Sequence, residues 1–222
     1  MIKSADVFFI VVMIFIMLIG ISFAWGVPSV RPVSTYSIVA YDEKSGQMGV
    51  AVQSHWFSVG SVVTWAEAGV GVVATQSFVE VSYGPVGLDL MRSGKTAPEA
   101  LTALLTIDAN KAVRQVAMVD ARGRVGVHTG EKCIAEAGHH QGKNFSCQAN
   151  MMEKNTVWNA MADAYENSPG ELVDRLMAAL EAAEKQGGDI RGRQSAAVLI
   201  VRIDSIGGPW KDRIYHLRVE DH

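Results

Sequence analysis

The stretch Thr35 to Gln53, TYSIVAYDEKSGQMGVAVQ, decides how the chain folds. Tyr36, Ile38 and Ala40 alternate with Ser37, Val39 and Tyr41, so a strand here presents one set to each side of a sheet. Asp42-Glu43-Lys44-Ser45-Gly46 supplies turn chemistry, and a second strand follows at once. The stretch is read as a buried hairpin. Threonine suits the start of a strand and needs no further explanation there. Its place at the head of the folded part raises a second reading. A chain cut before Thr35 would carry a nucleophilic hydroxyl and a free α-amine able to take its proton on one residue.

Upstream, Lys3 and Asp6 are followed by Val7 to Ala24, which runs without a charge. That length lies at the lower edge of a membrane span and is slightly long for a signal-peptide core. Ser22-Phe23-Ala24 places small residues where a signal peptidase inspects the chain. Residues 1–24 are therefore a signal peptide in preference to a membrane anchor, and with either the remainder is exported, periplasmic or extracellular. Residues 25–34, with two prolines and no usable periodicity, form an extended leader, and 35–222 are long enough for a single domain with a substantial core. The net charge of −3, with no basic cluster beyond Arg191 and Arg193, leaves no electrostatic footprint for nucleic acid. Two cysteines, Cys133 and Cys147, are open to a disulfide in an oxidising compartment or to two small buried thiols in neighbouring strands.

Beyond the hairpin, Ser61 to Ala66 and Gly71 to Ser77 read as strands, and Tyr83-Gly84-Pro85 precedes a short helix ended by Ser93-Gly94. Thr96-Ala97-Pro98-Glu99 is a capping-box pattern opening a helix with Leu101, Leu104 and Leu105 on its apolar side. Val113 to Asp120 and Val125 to Thr129 make another hairpin, and Asn144 to Met152 adds a strand. A helix near Thr156 buries Val157, Trp158, Met161 and Tyr165. Ser168-Pro169-Gly170-Glu171 signals the start of the next, with Leu172, Leu176 and Leu180 on one face and Gly187-Gly188 at its end. Ser195 to Val201 reads as a strand buried on both faces, and Ile214 to Val219 as a last alternating strand. Hairpins separated by helix pairs argue an α+β fold of antiparallel sheets covered by helices.

The stretch from Thr35 to His222 resembles the bacterial and archaeal family catalogued as domain of unknown function 1028, assigned to the N-terminal-nucleophile hydrolase superfamily. The resemblance is carried by TYSIVAYD (Thr35 to Asp42), GVAVQSHWFSVG (Gly49 to Gly60), AGVGVVATQSFV (Ala68 to Val79), YGPVGLDLMRSGKTAPEAL (Tyr83 to Leu101), RQVAMVD (Arg114 to Asp120), HTG (His128 to Gly130), QANMM (Gln148 to Met152) and GGDIRGRQSAAVLIV (Gly187 to Val201). It implies a four-layer αββα sandwich, with two antiparallel sheets face to face and helix pairs outside. The family has no agreed substrate.

The superfamily mechanism makes the Thr35 hydroxyl the nucleophile on an amide carbonyl, its own α-amine the base, and backbone N–H groups the oxyanion donors. Members of the family without a leader begin at or next to the equivalent threonine. Here ten residues, Trp25 to Ser34, would stand in front of it after cleavage at Ala24, so the mechanism requires a cut between Ser34 and Thr35.

The remaining candidate substrate-binding residues each have a scaffold alternative. Arg191 and Arg193 are placed to bind a carboxylate or to tie down their loop with Asp189. His55, beside Trp56 and Phe57, lines a pocket or is a hydrogen-bonded histidine beneath aromatics. Gln76, Ser77, Gln148 and Asn150 are donors to a substrate or oxyanion, or partners of buried backbone groups. His128, His139, His140 and Cys133 match no standard zinc spacing, and no Walker loop, dinucleotide fingerprint or G-x-S-x-G elbow calls for a cofactor.

Two function classes stand. One is an exported amide hydrolase with a threonine nucleophile, its substrate a small amide, a peptide or a cell-wall fragment. The other is a non-catalytic exported protein that uses the sandwich for binding or assembly, tethered by residues 7–24 or acting as a homo-oligomer.

Overall fold

The computed structural model describes residues 35–222; the signal or anchor segment 1–24 and the leader 25–34 lie outside the described residues. The opening hairpin forms β1 (Thr35–Asp42) and β2 (Gln47–Ser54), in antiparallel register from Thr35 opposite Ser54 to Asp42 opposite Gln47. Ser45 Oγ donates to Asp42 Oδ2 across the turn at 2.7 Å, and Gly46 takes φ +67°, which glycine adopts at little cost.

The hairpin is the middle of a six-stranded antiparallel sheet. On its β2 side lie β9 (Ser195–Arg202) and then β10 (Arg213–Val219), and on its β1 side β8 (Phe145–Asn150) and then β7 (Gly138–Gly142). A second antiparallel sheet is formed in order by β3 (Thr64–Glu67), β4 (Gly71–Ser77), β5 (Arg114–Asp120) and β6 (Val125–Thr129). The helices are α1 (Tyr83–Arg92), α2 (Ala97–Ile107), α3 (Val157–Asn167), α4 (Leu172–Lys185) and the single turn α5 (Pro209–Asp212).

Strand alternation sorts the core into three clusters. Tyr36, Ile38 and Ala40 pack with Met161, Leu172 and Leu176 of α3 and α4. Val39, Val50 and Val52 meet Val72, Ala74, Ala117 and Val119 of the second sheet. Val73, Val116 and Met118, on the other side of that sheet, pack with Leu88, Met91, Leu101 and Leu104 of α1 and α2. Strand β9 serves two clusters, with Val198 and Ile200 toward the helices and Ala197, Leu199 and Val201 toward the second sheet. This accounts for its unbroken apolar run.

The capping box at Thr96 is formed: Glu99 N–H donates to Thr96 Oγ1 at 3.3 Å and Thr96 N–H to Glu99 Oε2 at 2.8 Å. The expected start at Ser168 is shifted. Ser168 closes α3, Gly170 turns the chain at φ +105°, and Glu171 caps α4 in a reciprocal pair with Asp174. The strand expected from Ser61 begins only at Thr64, because Val59–Ser61 form a 3₁₀ turn and Thr64 Oγ1 is drawn back to Gly60 O at 2.8 Å.

The disulfide considered between Cys133 and Cys147 is not formed, and both are free thiols. Cys147 sits among the side chains facing α3 and α4, whereas Cys133 Sγ donates to Arg114 O at the end of the second sheet at 3.3 Å. They belong to different layers. Burial pushes both thiols above the ordinary range. Among the described residues no helix is long and apolar enough to cross a membrane.

Two outcomes follow from this packing. A Cβ on Gly49 would lie 2.8 Å from Ile200 Cγ1 and 3.1 Å from Leu176 Cδ1. Gly49→Ala is therefore expected to cost about 1–3 kcal/mol and Leu176→Ala about 2–5 kcal/mol by urea unfolding. The double variant should cost less than their sum, since Leu176 is one of the groups in the way. For the thiols, alkylation of denatured, unreduced protein should add two groups by mass, while the folded protein leaves Cys147 unmodified; a mass with no addition would restore the bridge.

Candidate active site

Thr35 heads β1 in a row of four polar side chains in register: Asn150 on β8, Thr35 on β1, Ser54 on β2 and Ser195 on β9. Alternation turns the row toward the second sheet, on the same side as Val39, Val52 and Ala197, and all four residues are buried. Thr35 Oγ1 donates to Ser54 Oγ at 3.1 Å. Ser195 Oγ donates to Trp56 O and accepts from Val59 N–H at 3.0 Å, which fixes the chain leaving β2.

The second sheet answers with Gln76 on β4 and Gln115 opposite it on β5, both fully buried. Gln76 Nε2 reaches Thr35 O at 3.2 Å, Gln115 Oε1 at 2.7 Å and Gln148 O at 3.3 Å, two hydrogens shared among three acceptors. Gln76 Oε1 accepts from Ser37 Oγ at 2.5 Å, and Ser37 Oγ accepts from Gln148 Nε2 at 2.6 Å. Gln115 Nε2 lies 3.0 Å from Thr129 Oγ1, 3.1 Å from Gly138 O and 2.9 Å from Ala149 O. Asn150 Nδ2 donates to Gln115 Oε1 at 3.0 Å and reaches Thr35 O at 3.5 Å. Polar groups buried this deeply persist only when they satisfy one another, and here the satisfaction runs from sheet to sheet.

Of the residues predicted as substrate donors, Gln76, Gln148 and Asn150 are brought together with Thr35 in this network, and their amides are engaged with buried groups. Gln115, which joins them, was not singled out. The register of β4 with β5 puts it opposite Gln76, and nothing near it in sequence marks it as buried. Ser77 ends β4 at φ +70°, and Met151 follows Asn150 at φ +60°. His55 and Arg191 meet through Asp189. Its carboxylate accepts from His55 N–H at 3.0 Å and pairs with the Arg191 guanidinium at 3.1 Å, so Arg191 ties its loop. That loop reaches the site's rim, because Ile190 N–H donates to Met151 O at 3.3 Å. Arg193 lies apart, 3.6 Å from Glu184 at the end of α4.

The histidines serve separate contacts: His128 Nε2 with Lys111 O at 2.8 Å, His139 Nδ1 with Thr129 Oγ1 at 2.9 Å, and His140 Nδ1 with Asn159 Oδ1 at 2.9 Å. Burial first, then the neighbouring His128 and His140, lowers the pKa of His139 below the ordinary value. Among the described residues no group of three His, Cys, Asp or Glu side chains is arranged to hold a metal ion. A cavity of about 570 Å³ opens beside the network, lined by Thr129, Glu131, Cys133, Glu136, His139 and Trp158. It lies within the range of about 300–1,000 Å³ common for small-molecule sites. Thr129 and Gly138, which also line it, are the partners of the Gln115 amide.

A mixed α+β protein with two antiparallel sheets, whose central strand opens on a threonine held in a buried polar network, is the class these observations define. The chain belongs to the family of unknown function DUF1028, whose model matches residues 35–222. It is similar to the crystal structure of protein SPO2555 from Silicibacter pomeroyi, of the same family, at 28% identity and a TM-score of 0.75 over 85% of this chain and 82% of that one. No curated protein matches it.

Because Gln115 satisfies groups on both sheets, Gln115→Leu should lower stability by about 3 kcal/mol or more through orphaned buried partners. Arg193→Ala, at an exposed ion pair, should stay within about 0.5 kcal/mol of the parent. Urea midpoints at constant slope check both.

Proposed function

We propose that this protein is an exported amide hydrolase of the N-terminal-nucleophile type, in which a cut before Thr35 makes that residue both nucleophile and base. The observation that carries the reading is the placement of Thr35 at the head of the central strand, with side chains from both sheets gathered on its carbonyl and hydroxyl. The succession of the three core clusters, helices with sheet, sheet with sheet and sheet with helices, supports the four-layer αββα arrangement of that superfamily.

In the cut chain the α-amine takes the Thr35 hydroxyl proton as Oγ1 attacks the amide carbonyl. The C–N bond then breaks, the proton passes to the leaving amine, and water hydrolyses the Thr35 ester to a carboxylate, regenerating the Thr35 hydroxyl. Asn150 Nδ2, whose bond to Thr35 O is long at 3.5 Å, is a candidate donor to the developing oxyanion if it exchanges that bond for one to the substrate oxygen. The cavity at Thr129 and Trp158 offers room for a small amide, a peptide end or a cell-wall fragment.

In the uncut chain Thr35 is fully buried and its nitrogen is an amide, which is not basic, so that form is latent. With an unperturbed amine pKa of about 7.7–8, turnover should rise as pH is raised through that range and the free base appears. A β-lactone probe with mass mapping gives a test that needs no known substrate. The adduct should form on Thr35 in a chain made to begin there, persist in Thr35→Ser, and vanish in Thr35→Ala and in a chain with one residue ahead of Thr35. Equal labelling of the extended chain, or undiminished labelling of Thr35→Ala, would leave the non-catalytic binding protein as the reading.

A further inference from the structure

On the opposite face of the six-stranded sheet from the Thr35 side chain, the next row in register is Tyr36, Gln53, Ala196 and Val219. Helix α4 covers this face only as far as Tyr36, whose hydroxyl donates to Glu184 Oε1 at 2.5 Å one residue before the helix ends. Beyond it lies a cavity of about 280 Å³ lined by Gln53, Arg193, Gln194, Ala196, Val219 and His222. Gln53 is 7% exposed, and neither its Nε2 nor its Oε1 has a hydrogen-bond partner among the described residues. Leaving both ends of a buried amide unmatched is costly, and native proteins seldom do so without a ligand, water or ion to match them.

The unmatched pair is one donor and one acceptor on a planar group, which another amide complements with its own C=O and N–H. Arg193 stands at the mouth. Its side chain is 68% exposed, among the described residues its only ion pair is the 3.6 Å contact to Glu184, and its planar fork suits a carboxylate. Ala196 and Val219 supply an apolar wall beside Gln53. Gln194 is already spent on Asp221 Oδ1 at 2.8 Å.

We propose that this cavity binds an N-acyl amino-acid unit, its amide on Gln53 and its carboxylate on Arg193. The volume, just under the range of about 300–1,000 Å³ usual for drug-sized ligands, fits one residue or two. That chemistry is shared by a free N-acyl amino acid and by the carboxyl end of a short peptide. Binding here is independent of whether Thr35 is a nucleophile.

The test is a titration of the full chain, followed through the side-chain amide resonances of Gln53, which are assigned by their loss in Gln53→Leu. The probes are N-acetyl-L-alanine, N-acetyl-L-alanyl-L-alanine, propionate and N-methylacetamide. Saturable shifts of the Gln53 resonances by N-acetyl-L-alanine support a free small-molecule ligand, and shifts by the dipeptide alone support a peptide end. In either case Arg193→Ala should weaken binding by at least about tenfold, the worth of a hydrogen bond to a charged group. Gln53→Leu removes an unmatched buried amide and should keep its fold by circular dichroism while losing binding by calorimetry. Should it fail to fold, the surface variant Arg193→Ala still decides. Equal binding of propionate, undiminished binding by Arg193→Ala, or no shift with any probe overturns the proposal.

Discussion

The two sheets are joined at one end by the Gln76–Gln115 pair, and the arrangement around Thr35 depends on it. Elsewhere the layer between the sheets is apolar, with Val39, Val50, Val72 and Val119 in contact. Toward the start of β1 it becomes a run of amides and hydroxyls, none exposed beyond a few per cent. An apolar layer tolerates small shifts at small cost, whereas each glutamine here has several partners at fixed angles and loses them together if a sheet slides. The glutamines therefore set the relative position of β1 and β8 against β4 and β5, and with it the surroundings of Thr35.

Backbone strain gathers at the same end. Ser77 and Met151, non-glycine residues at φ +70° and +60°, end β4 and follow β8, next to Gln76 and Asn150. Each such residue costs on the order of 1–3 kcal/mol in the less populated conformations and persists only where its surroundings over-determine it. Pairing with Arg114 holds Ser77, and backbone bonds to Ile134 O at 2.9 Å and from Ile190 N–H at 3.3 Å hold Met151. Arg114, at the head of β5, adds a second anchor: its guanidinium holds Asp108 at 2.7 Å and the carbonyl of Phe78 at 2.6 Å. Burial would raise the Asp108 carboxyl, but the bonds from Arg114 and from Asn110 N–H outweigh it and hold the group below its ordinary value. The segment just after Ser77 is thus held by charge as well as by strand pairing.

Much of this was legible in the sequence because local pattern and tertiary position agree there. The alternation of Tyr36 to Tyr41, the capping box at Thr96 and the unbroken apolar run of β9 each signal the environment that the fold supplies. What was not legible depends on partners far along the chain. Strand β7, Gly138-His139-His140-Gln141-Gly142, has no apolar alternation, because as an edge strand it gains its place from pairing with β8 and not from burying a face. Ser168 looks like a helix cap until Gly170 turns the chain and hands the role to Glu171. Gln115 could be assigned only once β4 and β5 were known to pair, since nothing nearby in sequence distinguishes a buried glutamine from an exposed one. Arg191 and Arg193 look equivalent in sequence, yet Asp189 claims the first and leaves the second at the surface.

The contacts on Thr35 bear on whether a cut in front of it could leave a working site. Its carbonyl is approached by Gln76 Nε2 and Asn150 Nδ2, its hydroxyl bonds Ser54, and its strand is paired on both sides through Ser54 and Asn150. All of these partners lie downstream of Thr35 in sequence. Loss of the preceding peptide bond removes none of them, so β1 would keep its register and the hydroxyl its place. The new amine would arise on a residue already held in position, with little ordering left for a substrate to impose. A threonine at the frayed end of an edge strand would not be held in this way, so the interior position of β1 in its sheet would serve the proposed chemistry as well as the fold.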